Sequence, residues 1–80
     1  MPTILRLDGF EFRIYTEDHA PAHVHVFAGR LEAKIAIGDA DIAPYSIDPG
    51  AMATRQVREA IRIVEEHQAV FLGIWRKYHG

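Results

Sequence analysis

Residues 3–37 alternate between apolar and polar in the two-residue period of β-strands, and from about residue 53 the period becomes helical. Leu5 and Leu7 share one face, with Ile4 and Arg6 on the other. Asp8-Gly9 follows, and this pair predicts a tight hairpin because both central residues of such a turn need positive φ. A two-residue turn there sets Leu7 opposite Phe10, Arg6 opposite Glu11 and Leu5 opposite Phe12. Phe10, Phe12 and Ile14 then line an inner face, while Glu11, Arg13 and Tyr15 line the outer one. Residues 16–22 are polar and hold Pro21, so they read as a loop.

A third strand is predicted over residues 23–28 and a fourth over 31–37, joined by a turn at Gly29-Arg30. In that register Leu31, Ala33, Ile35 and Ile37 point inward and Glu32 and Lys34 outward. His25 falls opposite Lys34, with Glu32 on the diagonal. Residues 38–52 are irregular, with room for a short fifth strand between Ile42 and Ile47.

Val57, Ala60, Ile61, Val64, Gln68, Phe71, Leu72, Trp75 and Tyr78 recur at helical steps over residues 53–79. The predicted start is poorly capped, since Ala53 stands where Ser or Asp is preferred; Thr54 is the substitute. One unbroken helix would span about 39 Å at about 1.5 Å per residue, more than a small sheet covers, so a bend near Gly73 or a protruding end is expected. Ile63, Val70 and Ile74 form a second apolar row beside the main stripe. The pattern gives a single α+β domain over residues 1–80: a four-stranded antiparallel meander, extendable to five, packed against one long C-terminal helix.

The 80-residue chain has no cysteine, which removes disulfide staples, thiolate nucleophiles and cysteine zinc sites. A domain this small without staples favours self-association or a permanent partner. The net charge of −2 supplies no broad positive field for gripping a phosphate backbone. No apolar run approaches membrane-spanning length and the first residues lack a secretory layout, so the cytoplasm is the expected location.

His23 and His25 stand one residue apart, so both imidazoles leave the same face of the third strand while Val24 and Val26 leave the other. On the expected solvent-facing side they join Arg13, Tyr15, Glu32 and Lys34. These six are the candidate catalytic residues, a set that supplies a base, an acid and a cation for phosphodiester cleavage. His23 and His25 are also candidate metal ligands, with Glu32 or His19 as a third donor. No other cofactor is implied. A third candidate surface lies on the helix, where Ile63, Val70, Ile74 and the aromatic Trp75 make a partner-binding row.

The opening Met1-Pro2-Thr3-Ile4-Leu5-Arg6, the phrase Pro21-Ala22-His23-Val24-His25-Val26, Ala33-Lys34 and the late Trp75 together resemble a bacterial family catalogued as domain of unknown function 4160. The resemblance implies a short cytoplasmic bacterial protein, often encoded beside another small protein in modules suspected to be toxin–antitoxin pairs. No catalytic residue comes with it. Members often carry two prolines before the first histidine, where this chain has Pro21-Ala22, and many carry a serine where Ala53 sits. The leading reading is therefore a protein-interaction module whose partner is a small protein, a second copy, or both. The alternative is a small nuclease-type enzyme centred on His23 and His25, the one reading that calls for nucleic acid.

Overall fold

The computed structural model describes residues 3–79. Five strands, β1 (Thr3–Leu7), β2 (Phe10–Ile14), β3 (His23–Ala28), β4 (Leu31–Ala36) and β5 (Tyr45–Asp48), lie side by side in chain order. Every neighbouring pair is antiparallel. Two helices follow, α1 (Thr54–Glu66) and α2 (Gln68–His79).

The hairpin tips form as their chemistry requires. Asp8 and Gly9 hold φ of 50° and 85°, the two positive values of a mirror-type turn. Leu7 pairs with Phe10, Arg6 with Glu11 and Leu5 with Phe12. Gly29, at φ 61°, turns β3 into β4 and sets His25 opposite Lys34. The fifth strand runs over Tyr45–Asp48, with a register shift where it meets Lys34 and Ile35. It lies at the sheet's edge with all four residues exposed.

The inner face carries Phe12, Ile14, Val24, Val26 and Ile35, all buried against Val57, Ala60, Ile63 and Val64 of α1 and Phe71 of α2. Phe12 and Phe71 meet with ring centroids 5.5 Å apart.

The single long helix is corrected to two. The chain breaks at His67, whose φ of −114° and ψ of 22° leave the helical well, and Gly73 lies inside α2 without interrupting it. Tertiary hydrogen bonds hold α2 in its own direction: the Gln68 side-chain amide donates to the backbone carbonyls of Ile37, at 3.0 Å, and Ile42, at 3.3 Å. At the other end Ala53 is the N-cap and offers no side-chain bond. The Gln56 carbonyl oxygen accepts the Ala53 N–H at 3.0 Å, half of a capping box.

The break also corrects the surplus apolar row. Two helices running in different directions each need their own buried stripe, so residues that look redundant on one straight cylinder are used. Ile63 is fully buried, Trp75 is 8% exposed, and Ile74 packs partly buried against the core. Only Val70 of the four is exposed, at 53%.

Candidate functional site

The outer face of β3 is covered where a wet surface was expected: His23 is 8% exposed and His25 only 7%. Three groups roof it. The Tyr15 ring meets His25 edge-on at a centroid distance of 4.6 Å. The Trp75 indole lies 5.4 Å from His23. The loop between β2 and β3 carries Asp18 back over the strand, where one oxygen, Oδ2, lies 2.9 Å from His25 Nε2 and 3.4 Å from His23 Nε2.

The opposite edges of both rings are also anchored. His23 Nδ1 lies 2.8 Å from the Pro21 carbonyl oxygen, which can only accept, so this nitrogen donates. His25 Nδ1 lies 2.9 Å from Glu32 Oε2, the diagonal contact that the strand register places within reach. The β-ladder therefore sets the spacing of the imidazoles, and two acceptors set their rotation about the strand. Asp18, His23 and His25 each bring a donor atom to within 4.8 Å of the other two. His23 and His25 themselves lie 5.1 Å apart, centroid to centroid.

The remaining candidates divide. Glu32 and Tyr15 join the cluster through His25. Arg13 stands one step away: its Nε donates to Glu11 Oε1 at 2.6 Å, and its guanidinium lies 4.3 Å over the Phe27 ring. The Tyr15 hydroxyl first, and the Glu11 carboxylate second, raise Arg13 above its ordinary value and keep it cationic. Lys34 is exposed on the β4 side of His25, and His19 is exposed in the loop outside the cluster. Asp18 is the residue that strand patterning missed. Its only signal was an acidic residue in the short loop leading into a histidine strand. Farther along α2, His79 stacks on Trp75 at 3.8 Å, with its Nε2 buried and without a hydrogen-bond partner among the described residues.

The model of a protein family described as a domain of unknown function, DUF4160, matches residues 9–76, a span that includes Asp18, both histidines, Glu32 and Trp75. The chain belongs to the DUF4160 family. No curated protein and no solved structure matches it. Of the residues that bear the DUF4160 resemblance, His23 and His25 hold the buried polar cluster and Trp75 closes over it, while Met1 and Pro2 lie outside the described residues. Among the described residues of this DUF4160 chain, no helix is long and apolar enough to cross a membrane.

Proposed function

We propose that this DUF4160 protein is a protein-interaction module, one component of a cytoplasmic bacterial two-protein system of the toxin–antitoxin kind. The observation that carries the reading is where its exposed apolar residues fall. Four large hydrophobic side chains are exposed among the described residues, and three of them, Ile42, Tyr45 and Ile47, lie within six residues on and beside β5. Among the described residues β5 pairs with β4 on one side only, so its other side presents unpaired backbone groups, a ready template for an added strand. A groove of about 370 Å³ runs from this edge to α2, lined by Ile42, Tyr45, Leu72 and Trp75.

The occupant proposed is a strand of a small partner protein with apolar residues flanked by Lys or Arg. Residues 38–50 contain Asp39, Asp41 and Asp48 and no basic residue, so the apolar edge is set in negative charge. Complementary charge speeds encounter and fixes register. The contact thereby moves from the helix row, which the core consumes, to the sheet edge.

Co-expression with the product of any small gene found adjoining this one tests this. A stable complex is expected, weakened by salt and by Tyr45→Lys or Ile47→Lys, and indifferent to Val70→Lys. A chain that scatters as a monomer and co-elutes with nothing would overturn the reading; a homodimer through the same edge would replace the partner with a second copy.

The second reading, a small nuclease-type enzyme, is favoured by one observation: His25 sits between two carboxylates and beside Tyr15, with Arg13 nearby. Cleavage of RNA or DNA by the purified chain, abolished by His25→Ala, would support it. Inertness toward both nucleic acids would remove it.

A further inference from the structure

Protons alone satisfy the Asp18–His23–His25 cluster poorly. His23 Nδ1 must donate to the Pro21 carbonyl, and His25 Nδ1 donates to the Glu32 carboxylate. A neutral imidazole protonated at Nδ1 presents a lone pair at Nε2. Both Nε2 lone pairs then face the same acceptor, Asp18 Oδ2, at 3.4 and 2.9 Å. Three acceptors would converge on one point with nothing between them. One imidazolium at His25 would donate across the 2.9 Å contact but leave the His23 Nε2 lone pair facing the same oxygen at 3.4 Å. Turning both contacts into hydrogen bonds requires two imidazolium cations, with ring centroids 5.1 Å apart, to share a single carboxylate oxygen. Like charges that close, behind side chains only 9% and 11% exposed, oppose one another strongly.

A single divalent cation resolves all of this at once. It accepts both Nε2 lone pairs and the Oδ2 lone pair, and it balances the two carboxylates, Asp18 and Glu32. We infer that Asp18, His23 and His25 form a binding site for one divalent first-row transition-metal ion. Two independent features support the assignment.

The first is dimension. Donors about 2.0–2.2 Å from a metal stand about 3.0–3.5 Å from one another in tetrahedral or octahedral geometry. Both measured separations to Asp18 lie at or next to that range, and the third lies inside the 4.8 Å that bounds the group. Side-chain rotations of about 1 Å complete the closure to such metal–donor distances.

The second is the outer support. Metal-binding histidines characteristically donate their other ring N–H to a carboxylate or a backbone carbonyl, which fixes the tautomer and aims the free nitrogen. This chain holds one of each: Glu32 behind His25 and the Pro21 carbonyl behind His23.

Two imidazoles and one carboxylate suit zinc or iron(II) over magnesium or calcium, which prefer all-oxygen sites. Three protein donors leave at least one coordination position for water or a small anionic ligand. The site borders the proposed β5 groove through Trp75 and Pro21, but its three donors lie on the β2–β3 loop and β3, so metal binding does not depend on a partner.

The test uses the full chain, purified without a histidine tag, stripped with chelator and titrated with zinc chloride by calorimetry. Cobalt(II) serves as a spectroscopic probe. One equivalent of zinc should bind, and cobalt should give a visible ligand-field band. Asp18→Asn, which keeps the side-chain shape, should weaken zinc binding at least about 100-fold, and Glu32→Gln about 10–100-fold by loosening the orientation of His25. His19→Ala, which changes an exposed neighbour outside the cluster, should bind as wild type does. Circular dichroism of each variant confirms that it is folded. Absence of stoichiometric binding by the wild-type chain would overturn the inference. So would binding that survives Asp18→Asn in a folded protein, or binding that His19→Ala removes.

Discussion

The Trp75 indole lies against the His23 imidazole at 5.4 Å while belonging to the hydrophobic core, so one side chain of α2 serves both the packing and the polar cluster. Trp75→Ala should cost about 3–5 kcal/mol. For 80 residues at about 0.05–0.15 kcal/mol each, total stability is about 4–12 kcal/mol, so the variant should sit close to unfolding. Val70→Ala, at a position 53% exposed on the same helix, should fall within about 0.5 kcal/mol of wild type. Urea unfolding midpoints of the two variants check the contrast.

His25→Ala tests whether the cluster holds the fold as well as a ligand. Removing the ring strands Glu32, which accepts from Nδ1 at 2.9 Å, and takes away the nitrogen that lies 2.9 Å from Asp18 Oδ2. Hydrogen bonds to charged groups contribute about 1.5–3 kcal/mol each, and Glu32 is half-exposed, so the loss should be about 2–3 kcal/mol. A histidine on a wet sheet surface would cost about 0.5 kcal/mol or less. Chemical denaturation in the presence of chelator separates this effect from metal binding.

The weak start of α1 offers a gain. Ala53 has the extended backbone of an N-cap, φ −66° and ψ 150°, and an exposed side chain that accepts nothing. Ala53→Ser adds the acceptor and completes the capping box with Gln56. The gain should be about 0.5–2 kcal/mol. At about 4–8 °C per kcal/mol for a domain of this size, calorimetry should show a clear rise in thermal midpoint.

Glycines at positive φ separate strain from crowding. Gly29 and Gly50 hold φ of 61° and 57°. A Cβ at Gly29 meets nothing, whereas one at Gly50 would overlap the backbone carbonyl of Glu32. Gly29→Ala should cost about 1–2 kcal/mol from the left-handed conformation alone. Gly50→Ala should cost distinctly more, and it should also disturb zinc affinity by shifting the strand that presents Glu32. Paired unfolding curves and zinc titrations measure both effects.

The parts of the fold that depend on local chemistry were legible in the residues. Asp8-Gly9 and Gly29-Arg30 set the turns, and period-two alternation then fixed the register within the two hairpins, β1–β2 and β3–β4; the β2–β3 register, which spans a longer loop, was not legible. β5 was legible only as room for a strand, because all four of its residues are exposed and no buried alternation marks it. The helix break was not legible, since no proline or glycine stands at His67. It is set from outside the helix, by Gln68 reaching Ile37 and Ile42.

The same division runs through the candidate site. The shared face of His23 and His25 follows from their spacing. Their burial does not, because it depends on where a loop and a distant tryptophan come to rest. Asp18 was invisible for that reason: a loop residue has no periodicity to announce its direction.

Strand order equal to chain order has a kinetic consequence. Every strand pairs with its immediate successor, so each pairing closes only a short loop, and closure entropy grows with loop length. Proteins dominated by such near-diagonal contacts fold faster than sheets that must recruit distant strands. Asp18, His23 and His25 all fall within one β2-to-β3 connection and the strand it feeds, so the three donors can come together without a contribution from either helix. An ion captured before the helices dock would favour the sheet's assembly itself, and refolding in zinc should then accelerate, beyond any slowing of unfolding.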